Sequence, residues 1–275
     1  LVIGMTVVAF ATSMPEMMVS LAAVFKGSSD LAAGNIIGSN IANIGLILGA
    51  TALIAPMAVA RGTLVREIPI MLVASSAVFV MALDGQLGRL DGFLLVLGLL
   101  VFLSYCYFSS QKALAYVKES TTESEQPQKS GRNFFLILTG IIGLGLGAEL
   151  MVRSAVFMAH RFGISDLVIG VTVVALGTSL PELAASIVSA CKGEADLSVG
   201  NVIGSNIFNI FFVLGFCSLV RPITIESGIL RYELPLMLFF SIALWPLVQR
   251  RLRLGRTEGG LLLLGYLGFI TYYLL

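Results

Sequence analysis

The sequence predicts an all-α membrane protein made of two inverted repeats of five helices each. Hydrophobic residues make up 57% of the chain and charged residues only 12%, about half of the ~25% charged residues of an average soluble domain. The apolar residues form blocks of roughly 20, which is the length of a membrane span. Lipid offers the backbone no hydrogen-bond partners, so such spans must be helical.

The sequence also repeats itself at a fixed spacing. The segment GMTVVAFATSMPE, which begins at Gly4, returns from Gly170 as GVTVVALGTSLPE. The segment GNIIGSNIAN, which ends at Asn43, returns as GNVIGSNIFN ending at Asn209. Both pairs are 166 residues apart. A shared membrane-helix composition would repeat Leu and Val, but it would not repeat Pro-Glu and Asn at matched positions.

The apolar blocks predict nine helices. They are expected at 1–25, 31–55, 64–83, 92–110, 133–159, 166–190, 196–220, 229–249 and 257–275. We divide the chain into a first repeat at 1–110, a polar linker at 111–132 and a second repeat at 133–275. The second repeat has one helix more than the first, so a tenth helix is expected before Leu1. An odd number of spans places the second copy in the membrane upside down, as in the inverted repeats of secondary transporters.

Positive charge predicts the orientation. Loops on the cytoplasmic side of a membrane carry an excess of Lys and Arg. Placing the 111–132 linker in the cytoplasm puts most of the loop Lys and Arg on that side, including Arg250, Arg251 and Arg253. The C-terminus is then external.

Several functional classes find no support in the composition. The net charge of +1 gives no sign of nucleic-acid binding. His160 is the single histidine, which excludes a histidine metal cluster. Cys106, Cys191 and Cys217 lack metal-ligand spacing and are expected to be small buried apolar side chains.

Two acidic residues stand out because they lie inside predicted spans. Glu16 and Glu182 occupy equivalent repeat positions. An ionised carboxylate at the centre of a span costs at least ~2.5 kcal/mol, so it persists where it faces a cavity or a cation. We expect the two to meet near the midplane, where they repel unless a cation lies between them. The alternative is a pair of structural carboxylates bonded to the backbone.

Oxygen atoms surround both glutamates. Pro15 and Pro181 precede them and interrupt the helix, which is expected to free carbonyl oxygens near Ala9 and Thr12 and near Ala175 and Thr178. The candidate side-chain ligands are Thr12, Ser13, Ser39 and Asn43 in the first repeat, and Thr178, Ser179, Ser205 and Asn209 in the second. An all-oxygen set suits hard cations such as calcium and sodium. Alternatively, these polar groups only bond neighbouring helices.

The segments ATSMPE at Glu16 and GTSLPE at Glu182, with GSNIAN and GSNIFN, resemble the α-repeats of the sodium/calcium exchanger family. The resemblance implies the ten-helix exchanger fold and a calcium site at Glu16, Glu182, Thr12 and Thr178. It implies sodium sites that share the glutamates and add Ala9, Ser13, Ala175, Ser179, Ser39 and Ser205. Met-Pro or Leu-Pro before the glutamate favours the sodium-type branch. The family often has Asp where this chain has Asn209, which leaves two carboxylates.

The expected function is therefore antiport rather than catalysis. Calcium exchanges for sodium by alternating access, without a cofactor or an evident protein partner, in the inner membrane of a prokaryotic cell. The nearest alternative is an antiporter of protons against calcium or another divalent cation. A channel is another alternative, which saturable and gradient-coupled counterflow would exclude. An intramembrane protease is a third, but its acids would not need oxygen-rich surroundings duplicated around each one.

Overall fold

The computed structural model describes residues 8–120 and 166–274, together with scattered positions between 135 and 163. The predicted helix 133–159 falls mostly outside the described residues. The first seven residues and positions 121–132 of the predicted linker lie outside them entirely.

Helices dominate the described ranges, and we label them α1 to α10 in chain order. They are α1 Ala9–Thr12, α2 Met14–Lys26, α3 Ser29–Ile54, α4 Thr63–Asp84, α5 Arg89–Ser120, α6 Gly170–Thr178, α7 Leu180–Cys191, α8 Ala195–Val220, α9 Ile229–Gln249 and α10 Arg256–Leu274. The turn Asp166–Ile169 leads into α6. α5 continues to Ser120, ten residues beyond its predicted end at 110, because the Lys, Ala and Glu residues there favour helix.

Five of these helices, α3, α4, α5, α8 and α9, are long and apolar enough to cross a membrane. The pair α6 and α7, bent by 47° at its junction, provides a sixth span if it is counted as one. Within α3 and α8, 83% and 78% of the apolar window is buried, against 28–39% in the other three. α3 and α8 therefore form the centre of the bundle, and the other three present apolar side chains outward.

A helix break precedes each buried glutamate. α1 gives way to α2 at Ser13, and α6 gives way to α7 at Ser179. Both serines leave helical geometry in the same way, with φ/ψ of −79°/3° and −84°/5°. Pro15 and Pro181 lie in the first turn of the new helix, where a missing N–H costs nothing. The predicted interruption is thus present in both repeats.

Wide π-helical turns interrupt four helices at matched positions. They lie at Asn43–Leu48 in α3 and Asn209–Leu214 in α8, and at Thr63–Glu67 and Ile229–Glu233 where α4 and α9 begin. Such turns add a residue to the helical repeat and change the direction in which the following side chains point. Apolar periodicity in a span that is buried on most sides gives no signal for them.

Two small antiparallel sheets join the repeats. β1 (Met57–Ala58) pairs with β4 (Arg253–Leu254), and β2 (Gln86–Leu87) pairs with β3 (Ile223–Thr224). β1 precedes α4 and β2 follows it, so the sheets lie at opposite ends of that helix. Each end of the bundle is therefore fastened by one strand from each repeat.

Glycines allow two close helix contacts that are equivalent in the repeats. A Cβ added to Gly92 of α5 would lie 2.6 Å from the carbonyl oxygen of Gly215 in α8. A Cβ added to Gly259 of α10 would lie 2.8 Å from the carbonyl oxygen of Gly49 in α3. Small residues at such contacts let membrane helices approach closely.

We expect Gly92→Ala to destabilise the protein by about 1–3 kcal/mol, since the methyl group forces α5 away from α8. The melting temperature of the purified protein in detergent measures this. Gly62→Ala is the matched control, because a Cβ at Gly62 meets no atom within 4 Å. Equal melting temperatures for the two variants would show that the close contact is not needed.

Candidate functional site

Glu16 and Glu182 lie in the first turns of α2 and α7, directly after the helix breaks. Both side chains are 0% exposed. A helix N-terminus carries free N–H groups and the positive end of the helix dipole, which favour a carboxylate. The duplicated sequence thus produces two equivalent buried acids in equivalent local settings.

Each carboxylate is held by the helix break of the other repeat. The Ser179 hydroxyl donates to Oε1 of Glu16 at 3.2 Å, and the Ser13 hydroxyl donates to Oε1 of Glu182 at 3.4 Å. The two breaks therefore meet. Oε2 of each glutamate is buried and has no hydrogen-bond partner among the described residues. Each carboxylate thus has one oxygen that accepts a hydrogen bond and one oxygen without a partner among the described residues.

The threonines next to the helix breaks also make hydrogen bonds between the two repeats. The Thr178 hydroxyl donates to Oδ1 of Asn35 at 3.1 Å and lies 3.3 Å from the Ser39 hydroxyl. Thr178 belongs to the second repeat, whereas Asn35 and Ser39 belong to α3 of the first.

The same arrangement occurs with the repeats exchanged. The Thr12 hydroxyl donates to Oδ1 of Asn201 at 3.4 Å and lies 3.4 Å from the Ser205 hydroxyl. All the threonine and serine candidates are buried, with 6% exposure of Thr12 as the largest value. The structure therefore brings both sets of predicted hydroxyls together around the two acids.

Asn35 and Asn201 are site residues that sequence reasoning missed. The Asn35 amide donates to the carbonyl oxygen of Glu16 at 3.3 Å and to the Ser20 hydroxyl at 2.8 Å, and the Asn201 amide donates to the Ser186 hydroxyl at 3.5 Å. A signal was available, because both asparagines lie in the duplicated block that also contains Asn43 and Asn209.

The expectation of freed carbonyls at Ala9 and Ala175 is wrong. The Ala9 oxygen accepts the Ser13 N–H at 3.0 Å, and the Ala175 oxygen accepts the Ser179 N–H at 3.2 Å. Both also accept threonine hydroxyls at 3.3 Å. A proline removes the bond to the residue four positions earlier, and for Pro15 and Pro181 these positions are Ala11 and Gly177.

The asparagines at the π-helical turns differ between the repeats. The Asn43 amide donates to Oδ1 of Asn206 at 2.9 Å, and the Asn206 amide donates to the carbonyl oxygen of Asn40 at 3.3 Å. Asn209, the equivalent of Asn43, is fully buried, and both of its polar side-chain atoms lack a partner within the described ranges. Asn209 is thus available to a ligand without breaking an existing hydrogen bond.

The cluster contains many hydroxyl and amide oxygens but only two carboxylates. Over the part of the chain that the structure describes, no three His, Cys, Asp or Glu side chains gather as a metal-binding group. Glu67 and Glu233 are a second buried acidic pair, 7% and 0% exposed, in the π-helical turns of α4 and α9. Neither side chain makes a capping hydrogen bond to the helix that follows it.

Comparison with known proteins identifies the family. The profile described as "Sodium/calcium exchanger protein" matches residues 1–108 and 132–275. The chain belongs to the sodium/calcium exchanger family. It is therefore a membrane transporter of an ion-exchanging family and not an enzyme, as the sequence predicted.

Full-length relatives agree with this membership. The chain is 42% identical to inner membrane protein YrbG of Escherichia coli (strain K12), with 99% of this chain and 85% of YrbG covered. It is 33% identical to sodium/calcium exchanger MaX1 of Methanosarcina acetivorans, with coverage of 98% and 87%. These relatives confirm the prediction of a multi-pass protein of the prokaryotic inner membrane.

A solved exchanger structure has the same fold. A structure of the sodium-calcium exchanger NCX_Mj, soaked with sodium and strontium, superposes with a TM-score of 0.79 at 35% identity and covers 98% of this chain and 86% of that chain. The predicted exchanger fold is thereby confirmed.

We expect Asn206→Ala to destabilise the exchanger by about 1–3 kcal/mol, because it leaves the buried Asn43 amide without its acceptor. Thermal unfolding in detergent provides the measurement. Thr51→Val is the control: the Thr51 hydroxyl is buried and has no partner among the described residues, so its removal should cost little. An Asn206→Ala variant as stable as Thr51→Val would contradict the role assigned to the amide.

Proposed function

We propose that this exchanger carries calcium against sodium at the cluster around Glu16 and Glu182. The observation that supports it is the pair of fully buried carboxylates, each with one oxygen bound by a serine and the other open. Two uncompensated buried charges are strongly unfavourable. A cation between them removes the repulsion and supplies the missing partner of each open oxygen.

The hydrogen bonds prepare the threonines as ligands. Each threonine hydroxyl has one proton, which is within reach of an asparagine oxygen (Asn201 for Thr12, Asn35 for Thr178) and of the carbonyl oxygen three residues earlier. With either acceptor, a lone pair of the threonine oxygen remains for a cation. Asn35 and Asn201 are then positioning residues. Together with Oε2 of Glu16 and Glu182, the two threonines give a calcium ion four protein oxygens, and calcium accepts six to eight.

Sodium would use the same carboxylates with the serines. Ser13 and Ser179 already contact the acids, and Ser39 and Ser205 lie beside the threonines. The carbonyl oxygens of Ala9 and Ala175 each accept a backbone N–H, and each keeps a lone pair for sodium when the threonine and serine hydroxyls beside it donate elsewhere.

Shared ligands give a reason for exchange. Two carboxylates carry a charge of −2, which one calcium ion cancels, whereas sodium ions cancel it one at a time. Because both ions need Glu16 and Glu182, they cannot occupy the cluster together. If the protein changes between its inward-open and outward-open states only when both acids are neutralised, it cannot return empty. Sodium must then bind on one side before calcium can be carried again from the other. Inverted repeats are the arrangement by which other secondary transporters achieve alternating access.

Neutralising either acid tests the proposal. We expect Glu16→Gln and Glu182→Gln each to reduce sodium-driven uptake of radiolabelled calcium into proteoliposomes to the background rate, because a neutral amide cannot balance calcium. Glu226→Gln removes an exposed carboxylate and should retain uptake. Retained uptake in either buried variant would refute the site.

The coupling ion is tested in the same vesicles. Wild-type uptake should follow a sodium gradient and should not follow a pH gradient in sodium-free buffer. Uptake driven by the pH gradient would favour a proton/calcium antiporter instead, and calcium efflux without a counter-cation would refute obligatory exchange.

Asn209→Leu separates binding from stability. Leucine has a similar shape, and Asn209 has no hydrogen bond to lose among the described residues, so the melting temperature should not fall. If Asn209 is a ligand, the apparent calcium affinity should weaken about 10-fold, which is typical for the loss of one group around a metal. Unchanged affinity would exclude Asn209 from the site.

A further inference from the structure

A strongly basic loop connects α9 to α10. Arg250, Arg251, Arg253 and Arg256 lie within seven residues, and all four are exposed. Three of them line a groove of about 270 Å³ beside the β1–β4 sheet. The groove is completed by Pro56, Thr257 and Glu258, among others. It lies where two membrane-spanning segments end, far along the chain from the buried acidic cluster.

The duplicated fold provides an internal reference for this loop. The turn that connects α4 to α5 has a similar backbone: Gly85 has a positive φ of 86°, and its equivalent Leu252 has a positive φ of 46°. Both turns continue into a two-residue strand that pairs with the other repeat. Both then close with an acidic side chain that accepts the N–H of a glycine, at Gly88 and Gly255.

The two turns differ in charge although their geometry matches. Arg250, Arg251 and Arg253 occupy the positions of Leu83, Asp84 and Gln86. The turn forms with those uncharged or acidic residues at the other end of the bundle, so the fold does not require the arginines. Their presence at one end alone needs a reason other than folding.

The arginines are available to a ligand. Within residues 8–120 and 166–274, Arg251 and Arg253 form no ion pair. Arg256 uses Nε to donate to the carbonyl oxygen of Leu53 at 3.1 Å, which fixes its guanidinium at the groove. Glu258 directs Oε2 to the N–H of Gly255 at 3.1 Å, where it caps α10. The groove therefore presents exposed guanidinium groups beside the N-terminal end of a 19-residue helix.

We propose that this groove binds the phosphate group of an anionic phospholipid. Arginine pairs with phosphate through two parallel N–H bonds. The start of α10 is already capped by the Glu258 carboxylate, so the arginines alone supply the attraction for the anion. The groove lies at the C-terminal end of α9, a helix long and apolar enough to cross a membrane, and basic residues beside membrane spans attract anionic lipid. A headgroup there would contact β4 and the first turn of α10 and so tie this end of the bundle to one leaflet.

The test measures lipid binding to the purified full chain in detergent, with phosphatidylglycerol as the probe and phosphatidylcholine as the neutral reference. Arg251→Gln combined with Arg253→Gln should weaken phosphatidylglycerol binding about 25-fold, from roughly fivefold for each basic residue near an anionic surface. Replacing both arginines by lysine keeps the charge but removes the paired N–H bonds, so binding should fall less than in the double glutamine variant. Arg89→Gln, at the position equivalent to Arg256 on the opposite end, should leave it unchanged.

Two outcomes would overturn the proposal. One is unchanged phosphatidylglycerol binding by the double glutamine variant, with a melting temperature in phosphatidylcholine that matches wild type. The other is displacement of the lipid by millimolar inorganic phosphate, which would make the groove a site for free phosphate. Neither result depends on ion flux, so this proposal and the proposed exchange can fail separately.

Discussion

Two carboxylates with no exposed surface lie at the junction of the two repeats, and removing them from water sets the conditions that the surrounding structure meets. A buried charge must be bonded and balanced, since its desolvation otherwise costs several kcal/mol. The helix breaks at Ser13 and Ser179 address part of this cost. Each break gives its own repeat a helix N-terminus at the acid and gives the other repeat a serine hydroxyl. The proposed cation would balance the negative charge of the two carboxylates.

Neither repeat can form this cluster alone, because the hydrogen bonds that shape it run between repeats. Thr12 reaches Asn201, and Thr178 reaches Asn35, in α8 and α3 respectively. The position of these central helices therefore controls the site. The glycine contacts of α5 and α10 hold α8 and α3 from outside, and the two small sheets join the repeats at both ends. Helix packing far from the acids thus influences the geometry of the cluster through α3 and α8.

The sequence alone predicted the acids and hydroxyls because polar residues in apolar spans are rare and costly, so their duplication is informative. Glu16, Ser13 and Thr12 were found in this way, with their partners in the second repeat. The π-helical turns were not predictable, since a span buried on most sides has apolar residues on every face. Asn35 was missed although it is duplicated, because its distance from Glu16 becomes short only when α2 and α3 pack together. The Ala9 carbonyl was assigned wrongly because hydrogen bonding at a break depends on local dihedral angles.

Asn209 shows how charge limits the site. It is the equivalent of Asn43, yet it is buried without a hydrogen bond among the described residues, which costs about 1–3 kcal/mol. In the proposed site, an aspartate at this position would add a third negative charge to those of Glu16 and Glu182, and a single calcium ion would no longer neutralise them. Asparagine offers an oxygen and adds no charge. Under the proposed exchange, an unsatisfied amide is the smaller cost, because its missing partner arrives with the ion, whereas a third carboxylate would need another positive charge in every state of the cycle.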